Sequence, residues 1–274
     1  LIPDSESNDV GIYLILDYDK GDFGFNGGFR LDYKNINCDD FNFDEIFYSF
    51  NSSSGIFYEK NNHLSRVTYS GSYRAPHLSE LFSNGLHHGT MRFEVGNVDL
   101  ELEQSHQIDF KYQWNNEHLG FVLNPFFQFV NNFISINPTD SFYLNTYRIY
   151  NYVQFEEVNI SGLELNFHYH PHFFHNLHIE QSYSFVNTLN KDNNLFLALT
   201  PSSKIKTRFN LDLKKYNIPL GFELFRIYHL YSFAQENVAL YELPSDSYNI
   251  FNIELLFNPF SKVSLVLAVN NLLN

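Results

Sequence analysis

The sequence predicts an all-β chain folded as part of an antiparallel transmembrane β-barrel. Apolar and polar residues alternate with period two in segment after segment. Several of these segments exceed the about ten residues that a tilted strand needs to cross a bilayer, whereas strands of soluble domains are nearer six. Short turns alternate with longer loops, as in outer-membrane barrels with tight periplasmic turns and extended outer loops.

The elements follow in order. The first strand, 10–18, ends at Asp19-Lys20-Gly21, and the second, 22–34, sets Phe23, Phe25, Phe29, Leu31 and Tyr33 against Gly24, Asn26, Gly28, Arg30 and Asp32. Strands 46–59 and 62–74 flank the turn at Lys60-Asn61. In 106–114, Ile108, Phe110, Tyr112 and Trp114 oppose Gln107, Asp109, Lys111 and Gln113, and Asn115-Asn116-Glu117 turns the chain into 118–136. Strand 147–170 contains Leu163, Leu165, Phe167 and Tyr169 against Gly162, Glu164, Asn166 and His168; Pro171-His172 joins it to 174–188. Strand 203–214 sets Ile205, Phe209, Leu211 and Leu213 against three basic residues, Asn210 and Asp212, and Tyr216-Asn217 leads into 219–232. Strands 247–257 and 262–272 meet at Asn258-Pro259. The longer loops lie near 35–45, 75–105, 137–146, 189–202 and 233–246.

Thirty Phe and nineteen Tyr against one Trp suit strands and interfacial aromatic belts. Tyr18, Tyr33, Tyr73, Trp114, Tyr169 and Phe257 fall near strand ends, where such belts lie. Alternation alone also fits a soluble, aromatic-rich sandwich whose apolar face is turned inward, including one that binds carbohydrate. Strand length, aromatic placement and a polar face with charges of both signs favour the barrel. A net charge of -14 argues against a nucleic-acid partner. The single cysteine, Cys38, excludes an internal disulfide and a cysteine-based zinc cluster. No run is long and apolar enough for a spanning helix. The chain opens at Leu1 without a methionine, so it is expected to be a fragment.

The longest loop carries the most specific residues: Tyr73-Arg74-Ala75-Pro76-His77-Leu78-Ser79-Glu80-Leu81-Phe82, then Leu86-His87-His88-Gly89, then Gly96-Asn97-Val98-Asp99-Leu100. This stretch resembles the signature loop of TonB-dependent outer-membrane receptors, where an Arg-Ala-Pro and a Glu-Leu-Phe element precede an Asn-Pro-Asp-Leu element. Val98 stands where that motif usually has proline. Further pieces follow in family order. Phe29-Arg30-Leu31-Asp32-Tyr33 resembles a Gly-x-Arg-Tyr-Asp strand with its last two residues transposed, and Ser161-Gly162-Leu163-Glu164 a Gly-Leu-Glu strand. Val269-Asn270-Asn271-Leu272 resembles the Val-Asn-Asn-Leu segment near the receptors' C-terminus.

Such transporters have barrels of about 22 strands with a plugged lumen. About twelve strands ending on the Asn-Asn-Leu segment therefore imply that residues 1–274 are the C-terminal portion of a receptor barrel, lacking the last strand. The plug domain and the TonB-contacting segment are absent from this sequence. The resemblance implies energised uptake across the outer membrane of a Gram-negative bacterium, with the TonB complex, outer-membrane lipid and a small metal-containing ligand as partners. The transported ligand would be a ferric siderophore, haem or zinc, with no resident cofactor. A passive porin or an adhesive or structural barrel would share the alternation without needing the loop motif. No nucleophile elbow, metalloprotease helix or phosphate loop is present, so an enzyme is not expected.

Candidate ligand-binding residues lie on this loop. His87 and His88 are candidate metal or haem contacts, because neutral imidazole is a common transition-metal ligand and also binds haem iron. His77, Arg74 and Glu80 complete the set; a guanidinium suits an anionic siderophore, but a tie between loop base and barrel rim is the stronger reading of Arg74. A denser group, His168, His170, His172, His175 and His178, flanks the turn at Pro171. Its position on the side away from first substrate contact favours lumen filling or plug contact over metal capture.

Overall fold

The computed structural model describes residues 2–214, 222–236, 238–239, 242–260 and 262–273. The strands are β1 (Glu6–Lys20), β2 (Phe23–Cys38), β3 (Phe43–Lys60), β4 (His63–Arg74), β5 (Asn84–His87), β6 (Arg92–Val95), β7 (Glu103–Asn115), β8 (Leu119–Tyr143), β9 (Tyr147–Tyr169), β10 (Leu177–Asn190), β11 (Lys204–Asp212), β12 (Phe222–Ser232), β13 (Tyr248–Phe260) and β14 (Val263–Val269). One short helix, α1 (Leu78–Phe82), lies between β4 and β5. Twelve strands form one up-and-down antiparallel sheet in the order β1-β2-β3-β4-β7-β8-β9-β10-β11-β12-β13-β14, and β5 and β6 stand off that path. Among the described residues β1 and β14 are the free edges and do not pair with each other. A sandwich needs a second sheet to cover its apolar face. Here every strand among the described residues joins the same sheet, which removes that reading.

The register fixes which residues share a face. Val10, Ile12, Leu14 and Tyr18 lie opposite Tyr33, Leu31, Phe29 and Phe25, so their apolar side chains form one continuous face. The other face holds Asp9, Gly11 and Tyr13 against Lys34, Asp32 and Arg30. Its polar character continues across the sheet, where Glu180 meets Arg208 at 2.8 Å and Arg226 meets Glu254 at 3.3 Å. Ile12 is 71% exposed, Leu31 56% and Ile56 62%. A band of this kind in water would forgo about 1.5–3 kcal/mol of burial for each large side chain. A lipid solvent would cover it without that loss.

The width of the band agrees. From Phe23 to Tyr33 on β2 are ten steps of about 3.3 Å, which at a tilt of about 40° span about 25 Å, the apolar height of an outer-membrane barrel. Above Tyr33 the same face turns polar with Asn35 and Asn37, opposite Asn8 and Glu6. The lower rim is aromatic: Phe23 packs on Tyr58 at 4.7 Å, and Trp114 pairs with His63 and Phe121.

All twelve expected strands are present, and two of the expected long loops are shorter than predicted. The connection near 35–45 narrows to residues 39–42, with a 3-10 turn at Asp39–Phe41, and that near 137–146 narrows to 144–146. The missing residues are strand: β8 runs for 25 residues and β9 for 23, so their hairpin continues past the apolar band. Expectation stopped where apolar alternation stopped, but hairpins in water keep their ladder hydrogen bonds without an apolar face. Asparagine shapes many connections. Among the described residues, six of the nine non-glycine residues with positive φ are asparagines, including Asn42, Asn61 and Asn145, a residue type that tolerates the left-handed region. The expected turn at Tyr216-Asn217 and the start of strand 219–232 lie outside the described residues.

Candidate functional site: an infolded loop and a histidine cluster

The loop from Ala75 to Leu102 is folded by its own motifs. The His77 backbone N–H donates to Glu80 Oε2 at 2.7 Å and Leu81 N–H returns to the His77 carbonyl, which starts α1. Leu81 and Phe82 are buried and meet Ile36, Cys38, Leu100 and Ile134, with Phe43, Phe47 and Tyr152 packed around them. Ile36, Cys38, Phe43 and Phe47 occupy lumen-side positions by register, where polar residues prevail lower down. The alternation breaks there because the loop, rather than water, covers that face. Phe82 sits 5.2 Å from Phe43 and 5.3 Å from Phe41, both as centroid distances.

The motif around Gly96 serves the same packing. Gly96 N–H donates to the Ser83 carbonyl at 2.6 Å and Asn97 N–H to the Glu80 carbonyl at 2.9 Å. The Asn97 side chain accepts Asp99 N–H at 2.9 Å, a local turn that delivers Leu100 to the core. A methyl group at position 96 would lie 2.6 Å from the Leu81 carbonyl carbon, against rigid backbone. Gly96→Ala is therefore expected to loosen the loop by about 1–3 kcal/mol. Faster proteolytic cutting within 75–102 of the folded receptor checks this, and an unchanged rate would contradict it.

Arg74, at the top of β4, binds both sides of the loop base. Its Nη1 donates to Glu80 at 2.8 Å, and its Nε and Nη2 to Glu103 at 3.3 and 3.2 Å. Burial opposes the charge on Arg74, but the two carboxylates outweigh it and hold its pKa above the ordinary guanidinium value. Glu103 also accepts Ile134 N–H at 2.9 Å, which links β7 to β8. The second half of the loop is the hairpin β5–β6. Strand β9 runs beyond the end of β10, where Asn190 pairs with Val158, and β6 takes the free edge, pairing in parallel over Phe93–Ile149 to Val95–Asn151. Buried Glu94 is paired with Arg92 at 2.7 Å and accepts the Tyr152 hydroxyl at 3.3 Å. Burial first, then the Glu94 carboxylate, raise the Tyr152 pKa, so the phenol stays protonated as a donor.

Of the predicted site residues, Arg74, His77 and Glu80 thus converge on one network at the loop base. His87 and His88 lie apart from it, exposed at the tip of the β5–β6 hairpin, with the Thr90 hydroxyl 3.1 Å from His87 Nδ1. Neither tip histidine belongs to a convergent group of three metal-ligating side chains among the described residues.

Such groups occur at the opposite, short-turn rim. His118, in the β7–β8 turn, and His170, just past β9, are neighbours because His170 N–H donates to the His118 carbonyl at 2.8 Å. Asn116 shapes the first turn by accepting the N–H groups of His118 and Leu119. The second connection, 170–176, is longer than the tight turn expected at Pro171 and carries His172 and His175 back over His118, at centroid distances of 4.8 and 5.4 Å. Two triads result, His118–His170–His175 and His168–His170–His178, each with ring nitrogens within 4.8 Å of one another. Partial desolvation, then the neighbouring histidines, lower the His170 pKa, which favours the neutral imidazole. His118 was not foreseen as a member. It lies fifty-two residues before His170, and only pairing of β8 with β9 brings them together.

The apolar band, the charged inner face and the infolded loop define part of the wall of a β-barrel. The chain matches the family model "TonB dependent receptor-like, beta-barrel" over residues 1–272 and belongs to that family. Solved structures agree in fold. The copper transporter OprC superposes with a TM-score of 0.84 at 16% identity, over 98% of this chain and 42% of that one. The FrpB iron transporter from Neisseria meningitidis gives 0.73 at 16%, covering 98% and 41%. The ferric enterobactin receptor PfeA gives 0.73 at 14%, covering 97% and 40%. The chain thus spans about two fifths of the length of these receptors. No curated protein matches it by sequence.

Proposed function

We propose that this chain is the C-terminal part of an outer-membrane receptor for TonB-energised uptake of a small metal-containing ligand, a ferric siderophore, haem or zinc. The observation that carries the reading is the loop 75–102, packed over the lumen side of the wall and presenting His87 and His88 outward. A ligand arriving from outside meets that tip first, while Arg74 and Glu80 hold the base in place. The lumen of a passive porin is a water-filled channel, which such a cover would narrow. The chain acts here as a transporter and not as an enzyme, with the energy entering through parts of the receptor beyond these residues.

Cells expressing the full-length receptor, with and without a functional TonB complex, test this by uptake of labelled ferric siderophore, haem and zinc. One ligand should accumulate only in the TonB-competent cells. Equal accumulation in both strains, for every ligand, would overturn the reading.

A further inference from the structure

We infer that the short-turn rim carries a binding site for one divalent transition-metal ion of the copper, nickel or zinc kind, held by His118, His170 and His175. The inference does not depend on what the receptor transports. Three observations support it. The ring nitrogens of the triad already lie within 4.8 Å of one another. His170 Nε2 and His175 Nδ1 are 3.2 Å apart, close to the roughly 3.3 Å between two nitrogens bound at about 2.0 Å to a tetrahedral ion. His118 Nδ1 is buried without a hydrogen-bond partner among the described residues. An unpaired buried ring nitrogen is costly, and a metal ion would satisfy it.

The chemistry of the ligand follows from the donors. Three imidazoles without thiolate or carboxylate suit borderline divalent ions; calcium and magnesium prefer oxygen. The scaffold is made by two hairpins joined through the β8–β9 ladder, so the ligands are placed by backbone hydrogen bonds rather than by a free tail. His168 and His178 form the second triad with the same His170, so an ion bound there competes for that ring. His170 is the shared ligand of the whole cluster.

The test uses the full-length receptor in detergent, with any affinity tag removed and the protein stripped of metal, titrated with one equivalent of Cu2+. The electron paramagnetic resonance spectrum should show several nitrogen ligands. His170→Ala and His118→Ala, on separate hairpins, should each lose that pattern and weaken binding by roughly tenfold or more, since even an outer partner of a metal ligand is worth that much. His229→Ala, on β12, should leave both unchanged. Folding of each variant is verified by heat-dependent gel mobility. Retention of the spectrum and affinity in a folded His170→Ala or His118→Ala protein overturns the site, as does their loss in the His229→Ala variant alone. Either outcome leaves TonB-dependent uptake to be judged on its own experiment.

Discussion

Replacing Phe82 by alanine is expected to release the long loop from the lumen side of the wall at a cost of about 3–5 kcal/mol, the range for removing a fully buried aromatic ring. Phe82 is fully buried between Phe41 and Phe43 and shares its core with Leu81, Ile36 and Ile134. Its loss leaves a void bounded by strands that cannot move inward, because their ladder hydrogen bonds fix them. Hydrogen exchange of the full-length receptor reads the effect. The amides of Leu81 and Gly96, which are bonded within the loop, should exchange roughly 100-fold faster or more, while those of β2 and β3 stay protected. Unaltered exchange at Leu81 would show that the loop is held by something other than this core.

The second large effect separates the two faces of the wall. Phe29 lies in the apolar face opposite Leu14, near the middle of the band, and a lysine there is expected to cost about 2–4 kcal/mol. Arg30, one residue on, is a charge the other face already carries, paired with Asp32 at 2.7 Å. Arg30 is largely exposed and Asp32 keeps Asn51 as a second donor, so Arg30→Ala should cost no more than about 1 kcal/mol. Refolding of the full-length receptor into lipid vesicles, followed by heat-dependent gel mobility, compares them. Phe29→Lys should reduce the folded fraction sharply and Arg30→Ala should hardly change it. The reverse order would mean that the faces have been exchanged.

Within the band, period-two alternation is imposed by lipid on one side and polar contents on the other, so Phe23 to Tyr33 could be read directly. Beyond the band that constraint ends: β9 is expected from the residues at its observed length, but the outer end of β8, residues 137–143, carries no comparable signal and is expected as loop. The loop motif was legible as a set of residues, but its geometry was not. Arg74 finds Glu103 twenty-nine positions away, and Glu94 finds Tyr152 fifty-eight away, across pairings that local pattern does not encode. The apolar residues Ile36 and Phe47 interrupt the polar run of the lumen side because α1 covers them. For the histidines, composition gave five neighbours in sequence, and the sixth required the β8–β9 register.

The parallel ladder between β6 and β9 has a mechanical consequence. Along the sheet, β2 and β9 are separated by β3, β4, β7 and β8, five steps of about 4.8 Å, or about 24 Å of wall if it were flat. The loop is fastened at both ends of that stretch, by the core on β2 and β3 and by hydrogen bonds to the edge of β9. It behaves as a chord drawn across an arc. Flattening the wall would stretch the chord, and bending it further would crush the core, so the loop resists both and reinforces at the barrel mouth the curvature that strand number and shear impose.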